Sequence, residues 1–138
     1  MKVMICEDQA NVREGLERLL KLEQDMEIVG LAQDGAEAVE LVPKTSPDVI
    51  LMDLKMPVMN GVVTTRRIDA EYPAMRVLVL TPFGDSEGVF DAIRAGASGY
   101  LLKDTPREKM VETVRGTMMG KSYVDPPGAG KLLDQVAS

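Results

Sequence analysis

Four short apolar runs in this sequence each stop at a side chain capable of chemistry. Val3-Met4-Ile5-Cys6 gives way to Glu7-Asp8, Val49-Ile50-Leu51-Met52 to Asp53, Val77-Leu78-Val79-Leu80 to Thr81, and Tyr100-Leu101-Leu102 to Lys103. Each group alone has an ordinary explanation: Asp8 as a helix N-cap, Asp53 as a turn residue, Thr81 as a strand terminus, Lys103 as a solvated charge. Their common position at the carboxyl ends of predicted strands makes those explanations insufficient together. In a parallel α/β sheet that end forms the rim where ligands bind, so the groups share one crevice. Three carboxylates converging to about 4 Å would repel by roughly 4 kcal/mol per pair at an effective dielectric near 20, which calls for a cation. Mg²⁺ takes a few carboxylate oxygens, a carbonyl and several waters, a demand that Glu7, Asp8, Asp53 and the backbone carbonyl of Lys55 suit. An ammonium and a hydroxyl opposite a metal-bound carboxylate would neutralise a phosphoryl group under in-line attack. Asp53 is therefore a candidate nucleophile for an acyl phosphate, with Thr81 and Lys103 holding the transferred group.

The elements that must position these residues can be read from periodicity. Helical spacing of Val12, Leu16, Leu19 and Leu20 predicts a helix over Gln9–Leu22, and Gly15 inside it suggests a close packing contact. Glu27–Ala32 reads as a second strand. Asp34-Gly35 reads as a turn, and Ala36–Val42 as a short helix closed by Pro43. Asn60-Gly61 leads into a helix over Val62–Glu71 that ends before Pro73, and Arg76–Thr81 is a buried strand. Asp85 caps a helix to about Arg94, weakened by Gly88, with Gly96 available as a left-handed stop. Ser98–Leu102 is the fifth strand. Thr105-Pro106-Arg107-Glu108 has the form of a capping box with proline first in the helix, followed by Met110, Val111, Val114 and Met118 on one face. Five strand-helix repeats with spacers of this length predict a three-layer α/β/α sandwich around a parallel sheet. From Gly116 onward Gly120, Pro126, Pro127, Gly128 and Gly130 break structure, and only Lys131–Val136 could form a further turn or two of helix.

Composition bounds the alternatives. A chain of 138 residues, nearly half apolar, builds one domain and a tail. The formal charge of −6 comes without a basic block, which argues against direct nucleic-acid binding. The lone Cys6 excludes an internal disulfide and fits core packing in a reducing compartment. No run approaches the roughly 18 apolar residues of a membrane span, and the expectation is a cytoplasmic protein with no membrane partner. The absence of histidine removes imidazole metal ligands and His-based triads.

Taken together, Glu7-Asp8, the segment Leu51-Met52-Asp53-Leu54-Lys55-Met56-Pro57-Val58-Met59-Asn60-Gly61, Thr81 after its apolar strand, and Ala95-Gly96-Ala97-Ser98-Gly99-Tyr100-Leu101-Leu102-Lys103 closely resemble the response-regulator receiver domains of two-component signalling. The resemblance spans about residues 1–119. It implies the flavodoxin-like receiver fold with strand order 2-1-3-4-5, Asp53 as phosphoacceptor, Mg²⁺ at Glu7, Asp8 and Asp53, and phosphoryl contacts from Thr81 and Lys103. It also implies Tyr100 and Thr81 as a switch pair, phosphorylation by a sensor histidine kinase, and homodimerisation on activation. Self-catalysed phosphorylation and dephosphorylation, not turnover of an external substrate, is the activity implied. Asp104 after Lys103, the wording Gly-Ala-Ser-Gly-Tyr-Leu-Leu-Lys-Asp and the segment Gly120–Pro126 resemble the NarL/LuxR type. That type normally carries a C-terminal helix-turn-helix domain. The division expected is a receiver over 1–118 and a linker over 119–138, leading toward a DNA-binding domain missing from this chain.

Two other classes are weighed on the same residues. A metal-dependent phosphohydrolase with an aspartyl intermediate often has an acid two residues after the nucleophile, where this chain has Lys55. A flavodoxin-like cofactor module needs a phosphate-binding loop after the first strand, where Glu7-Asp8 would repel phosphate without a metal. Pro82 after Thr81 stiffens the loop that would have to move and biases Thr81 toward extended backbone.

Overall fold

The computed structural model describes residues 1–82 and 84–120; the tail beyond, including the expected Lys131–Val136 helix and most of the expected linker, lies outside the described residues. Strands and helices alternate as β1 (Lys2–Cys6), α1 (Ala10–Lys21), β2 (Glu27–Ala32), α2 (Gly35–Thr45), β3 (Val49–Asp53), α3 (Gly61–Glu71), β4 (Arg76–Thr81), α4 (Ser86–Arg94), β5 (Gly99–Leu102) and α5 (Arg107–Met118). All strand pairs are parallel, in the order β2-β1-β3-β4-β5. The layered sandwich and its strand order are those expected from the sequence.

The unbroken apolar runs are explained by what covers them. Odd-numbered Val3, Ile5, Val49, Leu51 and Leu101, with Leu78 and Leu80, pack on Leu16 and Leu20 of α1 and on Met110, Val111 and Val114 of α5. Met4, Cys6, Ile50, Met52, Val77, Val79 and Tyr100 face the other way, toward Val39 and Val42 of α2, Ile68 of α3 and Val89 and Ala92 of α4. Central strands covered on both faces must be apolar on both. The four residues before Asp53 are fully buried, each contributing roughly 1.5–3 kcal/mol, so the end of β3 is rigidly held.

Local chemistry sets the helix starts. Asp34, Asn60 and Asp85 cap α2, α3 and α4 by accepting from the backbone N–H of Glu37, Val63 and Gly88 at 2.8, 3.0 and 3.1 Å. Gly96 adopts φ +116°, the left-handed stop expected after α4. On the flank, Arg115 of α5 bonds both carboxylate oxygens of Asp25 at 2.8 and 2.9 Å and Glu23 at 2.7 Å, and Arg107 bonds Glu23 at 2.9 Å. These pairs tie α5 to the turn after α1.

Three local expectations are corrected. Pro43 lies inside α2, which continues to Thr45. Proline forfeits the bond to the carbonyl four residues back and crowds that carbonyl, a local cost the helix tolerates near its end. The helix still closes through Ser46 N–H to the Val42 carbonyl at 2.9 Å and Thr45 Oγ1 to the Leu41 carbonyl at 2.8 Å. The capping box at Thr105 does not form: the Thr105 hydroxyl donates instead to the Leu102 carbonyl at 2.6 Å. Pro106 thus becomes the N-cap residue, and α5 begins one residue later than expected. Gly15 makes no close packing contact; it is exposed, with open space where a Cβ would stand.

Candidate functional site

The sheet ladder continues one residue past two strands. Glu7 N–H donates to the Ala32 carbonyl at 3.0 Å and Lys103 N–H to the Thr81 carbonyl at 2.9 Å, so both residues are held at the rim by backbone bonds. Asp53 is the last residue of β3 and pairs with Leu80. Side-chain alternation then decides direction. Glu7, Asp53 and Lys103 continue the side of their strands that faces α1 and α5, whereas Thr81 continues the side of Val77 and Val79, which is also the side of Tyr100.

The carboxylates of Glu7, Asp8 and Asp53 come together, with one oxygen of each lying within 4.8 Å of the others. Glu7 is fully buried and Asp53 is 2 % exposed. The Lys103 ammonium bridges two of them, 3.2 Å from Asp53 Oδ1 and 3.4 Å from Glu7 Oε2. Among the described residues, Lys103 is the one cation paired with these carboxylates. Glu7 Oε1 accepts from the Gln9 N–H at 3.2 Å. Glu7 Oε2 is buried and accepts no well-formed hydrogen bond; the ammonium approaches it outside hydrogen-bond geometry. A buried carboxylate oxygen in that condition is an opening for a further positive ligand. The donor set, hard carboxylate oxygens gathered at one point, fits a divalent cation of the Mg²⁺ kind.

Electrostatics follow from the geometry. Burial, then the neighbouring negative charge of Asp53, pushes the Glu7 carboxyl up to about 7, with Lys103 pulling against both. Burial also raises Asp53 above the ordinary carboxylate range, the Lys103 charge opposing it. Burial disfavours the Lys103 ammonium, but Asp53 and Glu7 outweigh it and hold that group above the usual lysine value. The site is thus short of positive charge even with Lys103 in place.

The other residues predicted from sequence are placed around this cluster. Thr81 is buried at the adjacent rim position, and its hydroxyl makes a long, 3.4 Å bond to the Pro82 carbonyl. Lys55 has an exposed side chain, and its N–H reaches Asp53 Oδ1 at 3.4 Å. Tyr100 is buried in the core on the side of the sheet shared with Thr81, two residues short of the β5 position that pairs with it.

Sequence reasoning missed three supports of the site. Gly61 opens α3 directly against the end of β3: a Cβ there would stand 2.7 Å from Leu54 Cα and closer still to the Asp53 carbonyl. The Asn60-Gly61 pair is the signal, read only as a helix start. Val58 adopts φ +68° and is largely exposed, a left-handed conformation that strains a β-branched residue by about 1–2 kcal/mol in the turn following Asp53. Arg13 of α1 reaches back over the β1–α1 turn, donating to the Glu7 carbonyl at 2.7 Å. Its signal is a cation one turn into the helix that follows an acidic pair.

Comparison with known proteins agrees with this arrangement. The sequence profile of the response regulator receiver domain matches residues 3–115. The oxygen regulatory protein NreC of Staphylococcus carnosus is 39% identical over 136 residues, covering 98% of this chain and 63% of the relative. Its counterpart in Staphylococcus aureus is 40% identical over 139 positions, covering 100% of this chain and 64% of the relative. The chain therefore spans somewhat less than two thirds of the length of these relatives. Among solved structures, a LuxR-family two-component response regulator from Aurantimonas superposes with a TM-score of 0.90 at 31% identity, over 99% of this chain and 98% of that one. The signal receiver domain of a NarL from Mycobacterium tuberculosis gives 0.83 at 35% identity, over 87% and 97%. With fold, rim chemistry and relatives in agreement, the chain belongs to the response regulator receiver domain family and is of the LuxR/NarL type.

Proposed function

We propose that this receiver domain is phosphorylated on Asp53 with Mg²⁺ bound, and that phosphorylation shifts its conformation to control an output. The carrying observation is the ammonium of Lys103 held between the buried carboxylates of Glu7 and Asp53, with the partly exposed Asp8 beside them. Glu7, Asp8, Asp53 and the Lys55 carbonyl would hold the cation, and the orphaned Glu7 Oε2 supports that assignment. When bound, Mg²⁺ would neutralise carboxylate charge and supply a positive counterpart for phosphoryl oxygens. Asp53 is the nucleophile. Lys103, already ion-paired with the Asp53 carboxylate, is placed to meet a phosphoryl group there and stabilise its charge. The phosphoryl group comes from a sensor histidine kinase or a small acyl phosphate. The domain is a signalling module, and hydrolysis of its own aspartyl phosphate resets it.

Thr81 and Tyr100 form the switch. The long bond from the Thr81 hydroxyl to Pro82 is readily exchanged for one to a phosphoryl oxygen, and Tyr100 lies on the same side of the sheet to follow that movement. A shift from 1:99 to 99:1 needs about 5.5 kcal/mol of differential stabilisation, which new bonds from Thr81 and Lys103 supply. The output is homodimerisation through α1 and α5, and transcription control by a DNA-binding domain outside this chain. In this reading residues 1–118 are the receiver and 119–138 a linker, and the protein works in the cytoplasm. No helix among the described residues is long and apolar enough to cross a membrane.

The test is intact mass after incubation with acetyl phosphate and Mg²⁺, beside Asp53→Ala, with sizing chromatography of the same samples. A gain of one phosphoryl group that is lost in the variant, with a concurrent size increase, is expected. Lack of an adduct, together with no size or spectral response to beryllofluoride, would overturn the reading.

A further inference from the structure

We propose that Arg13 is a positioning residue for the cation site, fixing the backbone of the turn that carries Glu7 and Asp8. This rests on the reading of that turn as a Mg²⁺ site. The turn has an unusual burden: only Glu7, Asp8 and Gln9 separate β1 from α1, and two of these three are like-charged acids. The ordinary means of fixing such a turn is missing, because the Gln9 side chain makes no cap bond to the start of α1 and the first turn of α1 carries no acid. The Glu7 N–H is tied to Ala32 and its Oε1 to the Gln9 N–H. The remaining freedom is in the carbonyls of Glu7 and Asp8, which decide where the Asp8 carboxylate points.

Arg13 closes that freedom. It sits one turn into α1, anchored by its own N–H to the Gln9 carbonyl at 2.9 Å, and side chains on a helix lean toward its N-terminus. Its Nη1 donates to the Glu7 carbonyl at 2.7 Å and, at the outer limit of a bond, to the Asp8 carbonyl at 3.5 Å. A charged donor makes these bonds roughly twice as strong as neutral ones, and a planar guanidinium makes them directional. The same charge also opposes a second cation nearby. The two roles have opposite signs. If position dominates, removing Arg13 weakens Mg²⁺ binding; if charge dominates, removal tightens it.

The experiment is a Mg²⁺ titration of the full chain followed by backbone amide chemical shifts, for wild type, Arg13→Met and Arg13→Lys, with a thermal melt of each. Loss of outer-shell positioning partners typically costs 10–100-fold in metal affinity, so Arg13→Met is expected to weaken binding about tenfold. Arg13→Lys, which keeps the charge but loses the planar, forked guanidinium, is expected to fall between the two. Phosphorylation of Arg13→Met at saturating Mg²⁺ should approach the wild-type rate, an effect on apparent affinity with the maximal rate preserved. Unchanged or tighter binding by Arg13→Met overturns the inference, and should that variant not fold, wild-type affinity in Arg13→Lys overturns it equally. A wild type that binds no Mg²⁺ would instead remove the reading on which it rests.

Discussion

Two ionic clusters of this domain use the same residue types to opposite ends. At the rim, Glu7, Asp8 and Asp53 share one lysine, two of the acids are buried, and one carboxylate oxygen is left without a hydrogen bond. On the flank, Glu23 and Asp25 meet Arg107 and Arg115 in bonds of 2.7–2.9 Å, and all of this lies near water. Protonation registers the contrast. Hydrogen bonds from Arg115, and for Glu23 also from Arg107, hold Glu23 and Asp25 below their ordinary values, whereas burial holds Glu7 and Asp53 above theirs and the charge of Asp53 adds to the rise at Glu7. The flank is complete as it stands. The rim is a destabilised arrangement that ligands would relieve, and a domain keeps such an arrangement where binding has to change something.

The contrast is sharpest at the cations. Lys103→Met should destabilise the domain by about 2 kcal/mol near neutral pH, because two buried carboxylates lose the counter-charge of this partly exposed lysine. Thermal melts across pH check this, and the deficit should shrink as acid protonates Glu7. An undiminished deficit at low pH would mean that the lysine acts through packing.

Neutralising an acid should have the opposite sign. The folded-state value of Glu7, about 7, lies above the ordinary 4.5. The folded form therefore holds an extra proton between those values, and the stability this contributes is full below about 4.5 and lost as pH rises through about 7. Asp53→Asn removes a charge that drives the shift, so it should flatten that decline and leave the variant about 1 kcal/mol more stable near pH 7. Denaturant titrations at several pH values measure it. A variant less stable than wild type at pH 7 would break the comparison.

The smallest effect belongs to the flank. Arg115→Ala should lower stability less than Lys103→Met does, and added salt should erase most of the difference from wild type, as expected for exposed pairs. Acid acts oppositely here, since lowered carboxylate values contribute stability that disappears as pH falls through them. A large, salt-insensitive loss would show that α5 depends on this clamp.

Much of the fold was legible because burial on two faces forces unbroken apolar runs. Val49–Met52 and Val77–Leu80 can only be central strands, and the polar residue that ends each run marks the rim. The convergence of Glu7, Asp8, Asp53 and Lys103 follows from parallel topology once those ends are aligned. Local chemistry was less legible where two partners compete for one group. Thr105 has both a helix to cap and the Leu102 carbonyl to satisfy, and the latter wins. Pro43 reads as a stop, yet near a helix end its missing N–H forfeits one bond. Gly15 reads as a contact, but a glycine in sequence does not say whether space or crowding surrounds it. Arg13 escaped notice because its bonds go to backbone carbonyls, which are identical at every residue.

The single thiol offers a way to watch the whole sheet. Cys6 is fully buried in β1 between β2 and β3, with Sγ 3.4 Å from the sulfur of Met56. Burial, reinforced by nearby acids, pushes the thiol well above its ordinary range, so the closed form offers almost no nucleophilic thiolate. An alkylating reagent would consequently find its target only in molecules whose central strands have parted. Labelling rates would act as a clock for global opening, read in the unmodified chain without an added probe, and any ligand that fastens the rim would slow that clock.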